Sequence, residues 1–132
     1  MSTHLSMPRL LLQRAVAALL IAAAVPLGIG VAQAHAFLSH AMPAVGSTVA
    51  TSPPELTLDF TEAVEPHFCH VDVLDAQGQH VDAGDLHPAA DDPKRLVIGL
   101  KKLPPGAYTV KWRVVSADTH HTEGTFTFSV QP

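Results

Sequence analysis

A period of two in the apolar residues restricts this fold more than any other feature. Tyr108, Val110, Trp112 and Val114 alternate with Thr109, Lys111 and Arg113; Phe126, Phe128 and Val130 alternate with Thr125, Thr127 and Ser129. Successive side chains of a strand point to opposite faces, so each segment suits a sheet with one face buried. Leu56, Leu58 and Phe60 repeat the pattern, as do Val71 and Val73, and Leu96-Val97-Ile98 reads as a shorter apolar strand. Turn-forming residues separate these runs: Pro53-Pro54, Asp75-Ala76-Gln77-Gly78, Asp91-Asp92-Pro93 and Pro104-Pro105-Gly106. The expected fold is all-β, an immunoglobulin-like antiparallel β-sandwich of Greek-key type with about seven strands. Leu103 through Tyr108 reads as a tyrosine corner, and the polar stretch Gly78–Asp92 as a long loop. Trp112, Tyr108 and the five phenylalanines are expected to dominate the core.

The first 34 residues read differently. Arg9 and Arg14 precede the apolar run Ala15–Val25, and Ala32-Gln33-Ala34 has the small-x-small form of a cleavage site. The apolar run is well short of the roughly 20 residues that cross a bilayer, and Pro26 and Gly28 prevent its continuation. The expectation is a helical signal peptide over 1–34, cut after Ala34, and one secreted, periplasmic domain over 35–132. His35 then becomes the first residue and its α-amine is free.

Removing 34 of the 132 residues leaves 98. The leader holds two of the eight Lys+Arg and none of the twelve Asp+Glu, so the remainder carries a net charge of −6 with histidines neutral. An acidic chain without a basic run is a poor nucleic-acid binder, because that affinity starts with phosphate neutralisation. Cys69 is the single cysteine, which rules out an internal disulfide and reads as a small buried hydrophobe. Eight histidines in 98 residues point toward metal.

The segment Ser116-Ala117-Asp118-Thr119-His120-His121-Thr122-Glu123-Gly124 connects two strong strands. Asp118 and His120 are two apart, which in an extended segment places them on one side, with His121 on the other. A free N-terminal His35 adds an amine and a ring nitrogen on one residue, a chelate whose second bond costs little extra entropy. Three neutral nitrogens and one carboxylate oxygen favour a single Cu(II) ion in a tetragonal plane, whereas Zn(II) prefers a tetrahedron. An α-amine ordinarily titrates near about pH 8 and an imidazole near about 6.5, and both must lose their protons to bind, so affinity should fall in acid. His67, His70, His80 and His87 are read as solvated side chains, and Trp112 as packing.

With these residues in view, the chain over nearly all of 35–130 resembles the CopC family of small secreted copper carriers. The resemblance rests on His35, Pro43-Ala44-Val45-Gly46-Ser47, Phe60-Thr61-Glu62, the run Gly106–Arg113, and Asp118-Thr119-His120 with Gly124. It implies a β-sandwich with one Cu(II) site whose ligands are His35, Asp118 and His120. It also implies an acidic residue near the metal, which falls on Glu62. A separate inner-membrane copper transport protein is the implied partner, with the chain itself a monomer and not an enzyme. Some family members carry a methionine-rich Cu(I) site; the matching stretch here, Val73–Asp82, has no methionine, and Met42 is the single one after the leader. Thioether is the soft ligand Cu(I) prefers, so no Cu(I) site is expected and the chain resembles a Cu(II)-only subtype. Two other readings stand beside the carrier: an N-terminal-histidine copper monooxygenase, and a metal-free immunoglobulin-like interaction module.

Overall fold

The computed structural model describes residues 35–132; the leader expected over 1–34 lies outside the described residues. Eight strands succeed one another in chain order: β1 (Leu38–Met42), β2 (Thr48–Val49), β3 (Glu55–Phe60), β4 (His70–Leu74), β5 (His87–Ala89), β6 (Asp92–Gly99), β7 (Gly106–Val115) and β8 (His121–Val130). One 3₁₀ turn, Pro66–Phe68, sits between β3 and β4. The strands form two four-stranded sheets in the orders β1-β3-β6-β5 and β2-β8-β7-β4. Every pairing is antiparallel except the short parallel contact of β2 with β8.

The alternating segments do what their period requires. Leu56, Leu58 and Phe60 of β3 and Leu96 and Ile98 of β6 turn inward from one sheet. From the other, Val71, Val73, Tyr108, Val110, Trp112, Val114, Phe126, Phe128 and Val130 meet them. Each large side chain removed from water in this way contributes about 1.5–3 kcal/mol. The hydroxyl of Tyr108 donates to the carbonyl of Pro104, which closes the expected tyrosine corner. The Asp75–Gly78 turn is also as expected: Asp75 Oδ1 accepts the amides of Gln77 and Gln79, both at 2.9 Å, and Gly78 takes the left-handed φ of 76°.

Three expectations need correction. Phe37 and Phe68 are 57% and 65% exposed, so only Phe60, Phe126 and Phe128 serve the core. The stretch Gly78–Asp92 is no free loop: Val81 donates to the Val73 carbonyl, Ala83 to that of Gly99, and β5 lies within it. β6 begins at Asp92, four residues ahead of its apolar part, because Asp92 and Leu96 pair with the edge strand β5.

Candidate metal centre

One end of the sandwich is built from the N-terminal stretch, the β3–β4 connection and the β7–β8 turn. The N-terminal stretch is pinned on both sides. Thr61 Oγ1 donates to the His35 carbonyl at 3.1 Å and accepts the Phe37 amide at 3.0 Å, while Thr122 Oγ1 donates to the Ala36 carbonyl at 2.6 Å. Ala36 is fully buried between them. Residues at the end of β3 and the start of β8 therefore hold His35 against the β7–β8 turn.

That turn is tight. Ser116 and His120 close it through the Ser116 amide and the His120 carbonyl at 2.9 Å, and the Thr119 amide donates to the Ser116 carbonyl at 2.9 Å. Thr119 has a φ of 73°, so Asp118 and His120 are not side by side along an extended strand as the spacing suggested. A left-handed residue between them folds the chain back, and they converge by that route. His120 Nδ1 lies 3.1 Å from Asp118 Oδ2. The alignment is not that of a hydrogen bond, and this nitrogen has no hydrogen-bond partner. His121 opens β8 and is exposed.

The rings of His35 and His120 meet edge to face, with centroids 4.7 Å apart and planes at 81°. His35 Nδ1 is likewise buried without a partner. A buried imidazole nitrogen left unpaired beside a second ring and a carboxylate is an arrangement that ordinarily costs free energy, since buried polar atoms are nearly always satisfied. The carboxylate is itself conditioned. Ser116, 1% exposed, donates its hydroxyl to Asp118 Oδ1 and accepts the His120 amide at 3.3 Å. The Ser116 hydroxyl holds the Asp118 carboxyl below the usual range; its partial burial opposes this, and contacts with His120 add to the lowering.

Glu62 is half-buried and runs beside this turn, because the Ala117 amide donates to the Ala63 carbonyl at 3.0 Å and Val64 bridges Ser116. Glu62 and Asp118 line one cleft of about 130 Å³ with Ala63, Ser116 and Ala117. Phe37 rests its edge against His35 at 6.0 Å and is otherwise open to solvent. Among the remaining histidines, His67, His70, His80 and His87 are exposed, as expected. Cys69 is buried, also as expected, and its Sγ donates to the Glu65 carbonyl at 3.1 Å.

All four residues singled out from the sequence thus lie at one end of the fold. The ones missed are those that hold them: Ser116, Thr61 and Thr122. A serine two residues ahead of Asp118 is a signal for a side chain–backbone turn, and could have marked Ser116.

Residues 38–131 match the family model of the CopC domain. The chain belongs to the CopC family. Protein YobA of Escherichia coli K12 is 38% identical over 99 residues, covering 74% of this chain and 80% of YobA. The crystal structure of CopC from Methylosinus trichosporium OB3b superposes with a TM-score of 0.70 at 38% identity, covering 74% of this chain and 95% of that one. PcoC, a methionine-rich copper resistance protein from Escherichia coli, superposes with a TM-score of 0.65 at 35% identity over 74% of this chain and all of PcoC. The CopC fold seen in those structures is the β-sandwich described above.

Proposed function

We propose that this CopC-family chain is a periplasmic carrier or sequestering protein for copper, holding one Cu(II) ion at the His35 end of the sandwich. Cleavage after Ala34 converts the His35 amide into a free amine. The amine and Nδ1 of His35 then close a chelate ring through Cα, Cβ and Cγ, and the ring nitrogen on that path is the one left unpaired. His120 Nδ1 supplies the third nitrogen and Asp118 the carboxylate, with Glu62 at the rim of the same cleft. Nitrogen-rich, sulfur-free donors of this kind favour Cu(II) over Cu(I). The observation that carries the reading is the convergence of His35 Nδ1, buried without a partner, with His120 Nδ1, 3.1 Å from Asp118 Oδ2, in rings 4.7 Å apart.

The copper is cargo, and a carrier must release it. A metal held by an amine and imidazoles competes with protons, which gives an acid-dependent release. The receiving protein is proposed to be a separate inner-membrane copper transporter. A chain with Met42 as its single methionine after the leader contrasts with the methionine-rich PcoC and supports a Cu(II)-only subtype.

The test is a Cu(II) titration of the mature protein, its N-terminus verified by mass, against a form with one extra residue before His35. The spin-resonance spectrum of the loaded form should show nitrogen couplings in a tetragonal field. Extension should weaken binding and change the spectrum. Equal affinity and an identical spectrum in the two forms would exclude the amine, and with it this centre.

A further inference from the structure

Toward the other end of the same sheet, a second group of metal-ligating side chains converges. Asp72 stands on the outward face of β4, opposite Lys111 of β7. Beyond β4 the chain turns at Asp75–Gly78 and returns, so that His80 bridges Leu74 and the Val81 amide donates to the Val73 carbonyl at 2.8 Å. Asp82 comes next. Its side chain is only 9% exposed, and both oxygens are anchored: Oδ2 accepts the Val73 amide at 3.0 Å and Oδ1 the Gly84 amide at 3.1 Å.

His80 Nδ1 lies 3.3 Å from Asp82 Oδ2 and 3.7 Å from Asp72 Oδ1. One donor atom from each of the three residues lies within 4.8 Å of the other two. A tetrahedral ion with bonds of about 2.0–2.1 Å spaces its ligand atoms roughly 3.3 Å apart, so the two measured separations need only small adjustments. An imidazole with two carboxylates suits a borderline divalent ion. It offers no sulfur for Cu(I), and its nitrogen is foreign to the all-oxygen shells of Ca²⁺ and Mg²⁺.

We propose that Asp72, His80 and Asp82 form a second, separate site that takes a zinc-class divalent ion, with water completing the shell. The buried, anchored Asp82 is the fixed ligand. His80 and Asp72, 60% and 52% exposed, close over the ion from the solvent side. Lys111 faces Asp72 across the strands, and Lys101 reaches the His80 carbonyl at 3.4 Å. These two cations offset the carboxylate charge, so the site is weaker than the nitrogen-rich centre and exchanges its ion. The rival explanation of the same geometry is a protonated His80 held between two carboxylates without metal.

The mature protein, preloaded with one equivalent of Cu(II), is titrated with Zn(II) by calorimetry, and the His80 ring resonances are followed in that same loaded form. One further equivalent of Zn(II) should bind, with the largest shift at His80. Asp72→Asn and His80→Ala should each weaken Zn(II) at least about ten-fold, the lower end of what loss of even an outer-shell partner costs. His120→Ala should leave Zn(II) binding at His80 intact, which keeps the result independent of the copper centre. Unchanged Zn(II) affinity in both cluster variants would overturn the site. So would the absence of a second equivalent, with His80 responding to protons alone.

Discussion

The indole of Trp112 fills the space that a side chain on Gly124 would need. The two residues are partners across β7 and β8, and a Cβ built on Gly124 meets Trp112 Cζ2 at 2.5 Å and Cε2 at 2.6 Å. The indole also packs edge-on against Phe60 of the facing sheet, with centroids 5.4 Å apart. It is hemmed in from both sides and cannot swing away cheaply. Gly124→Ala should therefore cost about 1–3 kcal/mol, the usual range for forcing extra volume into a packed interior. Urea unfolding of the two proteins measures it, and a red-shifted Trp112 emission should accompany the loss. An unchanged midpoint would mean that the contact relaxes at no cost.

Asp59 and Arg95 pair directly across β3 and β6. Arg95 Nε donates to Oδ1 at 2.6 Å and Nη2 to Oδ2 at 2.9 Å. The Arg95 hydrogen bonds hold the Asp59 carboxyl below its ordinary range; partial burial opposes this, and the guanidinium and His40 charges add to the lowering. A carboxyl lowered in the folded state stabilises the fold above its unfolded value, and that contribution is lost as pH falls through the folded one. Asp59→Asn should thus be less stable than the wild type near about pH 7, and the gap should narrow as pH falls below the ordinary carboxylate value of about 4. Parallel denaturation series across that span check it. A constant gap at every pH would mean that the ion pair does not produce the difference.

Legibility in the sequence depended on how regularly each segment obeys its period. β3, β4, β7 and β8 alternate cleanly and were legible. β1 has a register shift between Leu38 and His40 that breaks its alternation, β2 is two residues long, and β5 carries Pro88 on a sheet edge, where a missing amide donor is tolerated. None of those three has a pattern to detect. At the candidate centre, the sequence singled out His35, Asp118 and His120 by chemistry and spacing, and the structure brings these three side chains to one end of the fold, but the route of their convergence was not legible. It depends on the left-handed Thr119 and on the Thr61 and Thr122 hydroxyls, long-range features that a local reading does not reach.

Cys69 offers a probe of opening. Burial pushes its thiol up; a backbone hydrogen bond at Val115 opposes that, and the Glu65 charge adds to it. The thiolate is the reactive form, so this cysteine is both shielded and poorly ionised. The folded protein should resist alkylation at about pH 8, with labelling limited by unfolding, and Gly124→Ala should accelerate it. Fast labelling of the native wild type would contradict the burial.

The Ser116 hydroxyl links the β7–β8 turn to two residues of the proposed copper centre. It donates to Asp118 Oδ1 while accepting the His120 amide, so one buried atom positions two of the proposed ligands. Removing it in Ser116→Ala should weaken Cu(II) binding about ten-fold or more, as outer-shell losses do, with the sandwich retained by circular dichroism. The acid limb should move as well. In the wild type Asp118 is held below the usual carboxylate range, chiefly by this hydroxyl, so it stays ionised while protons already compete for the nitrogens. Without the hydroxyl its carboxyl returns toward the ordinary value and joins that competition earlier. Copper release on acidification should then begin at a higher pH in the variant than in the wild type. Chelator-competition titrations from about pH 8 to about pH 4 follow both quantities. Equal affinity together with superimposable acid limbs would show that Ser116 does no more than close the turn.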